Sequence, residues 1–216
     1  MSRQWLVLTG LLAYLIGPAT AVAQIGSYIE GARVETQMFG IHAEASRFVY
    51  VIDRSGSTED PPGHDVLSAA KAELLASLKD LDTGQRFQII FYNDAPRVFR
   101  REDEGKKLLF ATAENKEAAQ KFIQSIRSDG GTDHEAALTA AIRLQPDVIF
   151  FLTDGDRPKL TAGQLNHIQR MANGIRIHAI QFGVQPQGPA SGFMRELAQQ
   201  NDGEYKYVDM TTWKAR

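Results

Sequence analysis

Two uninterrupted apolar runs constrain the fold of this chain most. Residues 48–52 read Phe-Val-Tyr-Val-Ile, and residues 148–152 read Val-Ile-Phe-Phe-Leu. Such runs, rich in β-branched and aromatic residues, are typical of strands buried on both faces, as in parallel sheets covered by helices. We therefore expect an α/β fold in which a doubly wound, mostly parallel central sheet carries helices on both faces, as in Rossmann-like proteins.

The segments around these runs alternate between strand and helix patterns. Apolar spacing predicts five helices, over residues 65–81, 113–126, 133–144, 161–172 and 192–200. Further strands are predicted over residues 87–92, 97–99, 175–182 and 205–208. Residues 34–41 are compatible with an extra strand or a packed arm. The alternation supports one parallel α/β domain that accounts for most of the chain.

The first residues resemble an export signal rather than part of the fold. Arg3 precedes an apolar run over residues 5–16, and Ala-Val-Ala at 21–23 suits a signal peptidase that cleaves before Gln24. An uncleaved membrane anchor is the alternative, although the run is short for the roughly 20 residues of a spanning helix. The predicted organisation is a signal peptide (1–23), an N-terminal arm (24–46), one domain (47–210) and a C-terminal tail (211–216). The predicted location is the periplasm or the exterior, with membrane attachment only if the signal stays uncleaved.

Composition excludes several kinds of site. The chain has no cysteine, which rules out disulfides, thiolate zinc sites, iron–sulfur clusters and cysteine nucleophiles. No two of its five histidines lie at the close spacing typical of shared metal ligation. Its net charge of −2 argues against a nucleic-acid binder. Any metal is therefore expected to be a hard cation that oxygen atoms hold.

Three loops carry oxygen ligands of this kind. Residues 53–57 read Asp-Arg-Ser-Gly-Ser, residues 130–133 read Gly-Gly-Thr-Asp, and residues 153–156 read Thr-Asp-Gly-Asp. The first and third follow the two buried strands directly. Ligands of doubly wound sheets bind outside the carboxyl ends of the strands, where the strand order reverses. The loops meet there if the two strands are neighbours.

These three motifs, in this order, resemble the metal-ion-dependent adhesion site of the von Willebrand factor type A domain family. The resemblance covers roughly residues 48–208. It implies that the first and fourth strands of the domain lie side by side at the switch point. It also implies a metal completed by an Asp or Glu of a partner protein. The ligand set carried over onto this sequence is Asp53, Ser55, Ser57, Thr132 and Asp154.

The chemistry of this set favours particular metals. Two carboxylates and three hydroxyls favour Mg²⁺, with Mn²⁺ or Ca²⁺ as alternatives. Neutral hydroxyl ligands leave the cation electrophilic, so it would prefer an anionic sixth ligand.

Several other residues adjoin the five ligands that the resemblance implies. Gly56, Gly130 and Gly131 are expected to let the backbone turn sharply. Asp133 and Asp156 are either supporting groups or solvated loop acids, and His134 is expected to be structural. Thr58 stands where related bacterial domains often have Met, and an acidic stretch follows it.

The function predicted from these features is a divalent-metal-dependent protein-binding module without enzyme activity. One alternative is a component of an envelope complex whose metal stabilises the fold. A phosphoryl-transfer enzyme is less consistent, because Ser55 stands where aspartate-nucleophile phosphatases carry an acid. The chain also has neither a phosphate-binding P-loop motif nor a Gly-x-Ser-x-Gly elbow. The remaining alternative is that residues 53–57 are a capping turn without metal.

Overall fold

The computed structural model describes residues 32–59, 65–101, 107–155, 158–190 and 192–214. The predicted signal peptide and the first part of the arm lie outside these ranges. Within them, no helix has the length and apolar character that crossing a membrane requires.

Nine strands and five α-helices are present in the described ranges. The strands are β1 (Val34–Met38), β2 (Ile41–Ala45), β3 (Arg47–Asp53), β4 (Arg86–Tyr92), β5 (Pro96–Val98), β6 (Leu109–Phe110), β7 (Val148–Thr153), β8 (Arg176–Gly183) and β9 (Tyr205–Asp209). The helices are α1 (Val66–Asp80), α2 (Ala113–Ser125), α3 (His134–Ile142), α4 (Ala162–Ala172) and α5 (Phe193–Gln200). A 3₁₀ turn (Gly56–Glu59) precedes α1.

Seven of the strands form one sheet with the order β5-β4-β3-β7-β8-β9, and β6 also pairs with β4. All pairs are parallel except those of β4 with β5 and β6. Strand β3 lies between β4 and β7, so the strand order reverses there. The predicted doubly wound, mostly parallel sheet is confirmed, and its two most apolar strands are neighbours.

The alternating residues of the central strands supply two separate cores. Phe48, Tyr50 and Ile52 of β3 face a layer formed by α1, α2 and the β1–β2 hairpin. Val49 and Val51 face the opposite layer, formed by α3, α4 and α5. All five side chains are at most 1% exposed. Burying a side chain of this size contributes about 1.5 to 3 kcal/mol, so both layers hold the sheet rigid beneath its loops.

Helix starts follow the expected capping chemistry. The side chains of Asp65, Thr112, Asp133 and Thr161 each accept a hydrogen bond from a backbone amide in the first turn of their helix. The predicted helices therefore start within one residue of their observed positions.

The ambiguous segment before the domain is a two-stranded antiparallel hairpin rather than one strand. Its turn is formed by Phe39 and Gly40, both with positive φ (51° and 78°). The Phe39 amide donates a hydrogen bond to the buried Glu73 carboxylate of α1 (3.1 Å). The Thr36 hydroxyl lies 2.7 Å from that of Ser77, also on α1. The hairpin is thus fastened to α1 as part of the folded unit.

Candidate metal centre at the carboxyl edge of the sheet

Asp53 ends β3 and is only 2% exposed. Both of its carboxylate oxygens are held by neutral donors. The Ser55 amide donates to Oδ1 (2.8 Å) and the Thr153 hydroxyl donates to Oδ2 (2.7 Å). Burial raises the pKa of Asp53, the bonds from Ser55 and Thr153 oppose that rise, and the nearby Asp154 charge adds to it. Asp53 is therefore a fixed, buried carboxylate beside a second one.

Ser57 lies on the 3₁₀ turn, and Ser55 directly precedes that turn. Their hydroxyl oxygens are 3.2 Å apart, and the Ser55 hydroxyl also interacts with the Asp53 carboxylate. Thr58 fixes the turn, because its amide and its hydroxyl both donate to the Ser55 carbonyl (3.0 and 2.7 Å). Gly56 begins the 3₁₀ turn, so the chain turns sharply there as expected, and it does so without a positive φ.

The Thr132 loop is tied to this turn by backbone bonds. The Gly56 amide donates to the Gly130 carbonyl (3.1 Å), and the Gly131 amide donates to Asp94 Oδ2 (2.9 Å). Gly130 has φ 76°, and a Cβ there would lie 2.5 Å from Asp94 Oδ2, so a glycine is required as expected. Thr132 is half-buried, and within the described residues its side chain makes no hydrogen bond to the other four predicted ligands.

Asp154 follows β7 and is half-buried. The Thr153 hydroxyl, which bonds to Asp53, lies 3.5 Å from Asp154 Oδ1 and accepts the Gly155 amide (3.1 Å). The Gln181 side chain donates to the Asp154 carbonyl (3.2 Å). Thr153 thus joins the two carboxylate loops, a role that sequence reasoning missed. The sequence signal that could have indicated this role is the position of Thr153 between a buried strand and the Asp-Gly pair at 154–155.

A buried aromatic pair lies beneath these loops. The Tyr92 hydroxyl is 2.9 Å from Nδ1 of His134, which is 2% exposed. Burial lowers the pKa of His134 to about 4, against the opposing charges of Asp154 and Asp133, so its ring is neutral at pH 7. His134 is structural, as expected, and Asp133 caps α3 through a 2.9 Å bond from the Ala136 amide.

The structure therefore brings four of the predicted ligands into one bonded set, and it ties the loop of the fifth, Thr132, against them. No cluster of three or more His, Cys, Asp or Glu side chains suited to a metal occurs in the described part of the chain. A set of two carboxylates and three hydroxyls is of a different type, and it fits a hard cation that retains water ligands. Asp156 and Asp60 lie outside the described residues.

Comparison with known proteins gives the same picture of the fold. A family model for the von Willebrand factor type A domain matches residues 48–157. The mouse (Mus musculus) inter-alpha-trypsin inhibitor heavy chain 4 is 27% identical over 175 residues, which cover 72% of this chain and 17% of that protein. The chain thus spans less than a fifth of that relative's length.

Solved structures share the architecture. A von Willebrand factor type A protein from Catenulispora acidiphila has a TM-score of 0.65 at 23% identity, covering 86% of this chain and 47% of that one. The manganese-loaded TRAP protein of Plasmodium vivax has a TM-score of 0.53 at 17% identity, covering 76% and 68%. The family model spans more than half of the chain, from the first buried strand to the loop after β7. This chain belongs to the von Willebrand factor type A domain family.

Proposed function

We propose that this chain binds a divalent cation and that the cation binds an acidic residue of a partner protein. The observation that carries the proposal is the pair of carboxylate loops after the neighbouring strands β3 and β7, joined by the Thr153 hydroxyl. The proposed ligands are Asp53, Ser55, Ser57, Thr132 and Asp154. The proposed metal is Mg²⁺, with Mn²⁺ and Ca²⁺ as alternatives.

The proposed ligands leave a divalent cation able to bind a further anion. The three hydroxyls carry no formal charge, so the two carboxylates supply the whole negative charge of the site. A position on the cation that the five ligands leave open therefore favours a carboxylate. Ser57 and Asp154 line an open cavity of about 680 Å³, which offers a partner access. Lys159 also lines this cavity, so a second anionic group can be accommodated beside the metal. The manganese-loaded relative supports the same class of cation.

The same reasoning extends to location and to catalysis. The proposed role is binding without enzyme activity, because Ser55 stands where aspartate-nucleophile phosphatases carry their general acid. The predicted signal over residues 1–23 supports an exported protein that meets its partner in the periplasm or outside the cell.

The direct test uses Mn²⁺, which is paramagnetic and reports its own bound water through water-proton relaxation. We expect Mn²⁺ to saturate one site, and an excess of a capped glutamate tripeptide to displace bound water and lower the relaxation enhancement. The glutamine version of the peptide should have no effect. Mg²⁺ should compete with Mn²⁺ for the same site.

Asp154→Ala should abolish saturable Mn²⁺ binding. Asp129→Ala is the matched control, because Asp129 is an exposed acid in the adjoining loop and lies outside the proposed set. Equal Mn²⁺ binding by wild type and Asp154→Ala would refute the site. Metal binding that raises thermal stability without any response to glutamate would instead favour a metal that only stabilises the fold.

A further inference from the structure

A second open cavity lies at the opposite end of the sheet from the candidate metal centre. It is an open groove of about 950 Å³. The first residues of three parallel strands line it: Arg47 of β3, Val148 of β7 and Arg176 of β8. Because β3 has seven residues at about 3.3 Å each, roughly 20 Å separates the groove from the metal centre. The proposed function does not use it.

The groove carries an excess of positive charge. Four arginines and two aspartates line it: Arg33, Arg47, Arg143, Arg176, Asp147 and Asp202. Asp147 is already saturated. Its Oδ1 accepts the Arg47 guanidinium (3.1 and 2.6 Å), and its Oδ2 accepts the amides of Ser46 and Arg47 (3.0 and 2.9 Å). Once Arg47 and Asp147 are paired, three arginines and one acidic side chain, that of Asp202, remain in the groove.

Two of these arginines have no acidic partner. Among the described residues, neither Arg143 nor Arg176 forms an ion pair or a side-chain hydrogen bond. Arg33 donates to the Glu44 carbonyl (2.6 Å), which leaves its charge uncompensated. The carbonyl ends of α3 and α4 also lie at the groove, and each contributes about half a negative charge. A positive excess remains after these ends are counted.

Apolar residues also line the groove. Met171 and Ile175 are partly exposed there, whereas Ile142, Pro146 and Val148 are buried. A groove that offers guanidinium groups beside aliphatic surface suits a ligand with both carboxylate and aliphatic side chains, because guanidinium forms paired bonds to carboxylate. Its size lies at the upper end of the range typical of ligand pockets, which exceeds what a single small anion fills.

We propose that this groove binds an acidic segment of a protein partner. Carboxylates of the segment pair with Arg143 and Arg176, and its aliphatic side chains lie on Met171 and Ile175. The contact requires no metal. The domain then has two protein-binding ends, one that presents a cation and one that presents guanidinium groups.

The test is fluorescence anisotropy of a labelled peptide, Glu-Leu-Glu-Glu-Leu-Glu, with the full chain in EDTA at low salt. EDTA removes any contribution of the proposed metal site, so the two proposals succeed or fail separately. We expect saturable binding, at least tenfold weaker for Arg143→Glu with Arg176→Glu, and unchanged for Asp154→Ala. Arg143→Glu alone, an exposed change at the end of α3, should weaken binding at least threefold if the double variant fails to fold.

The matched control is Arg100→Glu with Arg170→Glu, which changes net charge equally at exposed arginines outside the groove. This variant should bind like wild type, whereas equal weakening by both double variants would indicate a nonspecific charge effect and overturn the proposal. So would absence of saturable binding, or equal binding of the glutamine version of the peptide. Tighter binding of a single-stranded oligonucleotide with the same charge would assign the groove to nucleic acid instead.

Discussion

Two aspartates at opposite ends of the central strands have opposite electrostatic surroundings. Asp53, at the carboxyl end of β3, accepts its hydrogen bonds from neutral groups, and burial raises its pKa. Burial also acts to raise the pKa of Asp147, before β7, but the Arg47 guanidinium and the amides of Ser46 and Arg47 outweigh it and lower that pKa. The same residue type is thus paired with a cationic side chain at one end and with neutral donors alone at the other. This difference separates the structural carboxylate of Asp147 from the proposed metal ligand Asp53.

The prediction with the largest expected effect compares the Asp→Asn substitution at the two ends of the sheet. Mg²⁺ at 1,000 times its dissociation constant should stabilise the wild type by about 4 kcal/mol. That corresponds to a rise of roughly 10 °C in Tm. Asp53→Asn should lose this rise, whereas Asp147→Asn should retain it, as measured by differential scanning fluorimetry with Mg²⁺ and with EDTA. A full Mg²⁺ response in Asp53→Asn would remove the proposed distinction.

The second prediction concerns the buried layer between the two ends. His178 of β8 is 2% exposed, and its Nδ1 accepts the Glu204 amide (3.0 Å). Burial, with a smaller effect of the Arg176 charge, lowers its pKa to about 4. An unfolded histidine has a pKa near 6.5, so the unfolded chain takes up this proton first as the pH falls. His178 alone should therefore lower the free energy of unfolding by about 3 kcal/mol between pH 6.5 and 4.

Urea unfolding at a series of pH values measures this slope. His178→Gln should flatten it relative to wild type, while His134, which has a similarly lowered pKa, contributes equally to both proteins. His42→Gln, the same substitution at an exposed position on the hairpin, is the control for the change of residue type. Parallel pH profiles for wild type and His178→Gln would contradict the prediction.

The third prediction concerns the hydroxyl of Thr153 at the carboxyl end of the sheet. Thr153→Val removes the hydroxyl that orients Asp53 while it keeps the shape of the side chain. Loss of a group that orients a ligand weakens metal binding by roughly 10- to 100-fold. Thr153→Ser retains the hydroxyl and should recover most of the affinity, as measured by Mn²⁺ titration. Identical affinity in the Val and Ser variants would mean that the hydroxyl has no positioning role.

The smallest expected effect is at the amino end. Asp147→Asn keeps the side-chain size but weakens the charge-assisted bonds to Arg47 and the two amides. Because the group is partly exposed, we expect a loss of only about 1 kcal/mol in the free energy of unfolding, measured with urea. Asp202→Asn, at an exposed position of the same groove, should change stability by less than about 0.5 kcal/mol. An equal cost at both positions would show that the Arg47 contact adds little.

Most of the fold could be predicted from local patterns, because the central strands are apolar throughout and the helices carry regular spacing and capping residues. Strand β6 was missed because it has two residues, and its pairing with β4 is set by tertiary contacts. The hairpin was ambiguous because its turn places Phe39, an atypical residue, at positive φ.

The two ends differ in how far sequence could predict them. The ligands of the carboxyl end lie in short motifs, so their grouping could be predicted once β3 and β7 were expected to be neighbours. That grouping is consistent with the structure, and metal binding itself stays a prediction. The role of Thr153 depends on which strand lies beside β7. The groove arginines are scattered over the chain and carry no motif, so only the folded sheet brings them together.

The position of β3 between two parallel neighbours has a mechanical consequence. Tension applied between the two ends of the sheet runs along the strands and across their hydrogen bonds. The ladders of β3 with β4 and β7 then bear the load in shear, all bonds at once, instead of opening one by one as in a peeled hairpin. A protein anchored at one end and pulled at the other would resist force through its most buried strand.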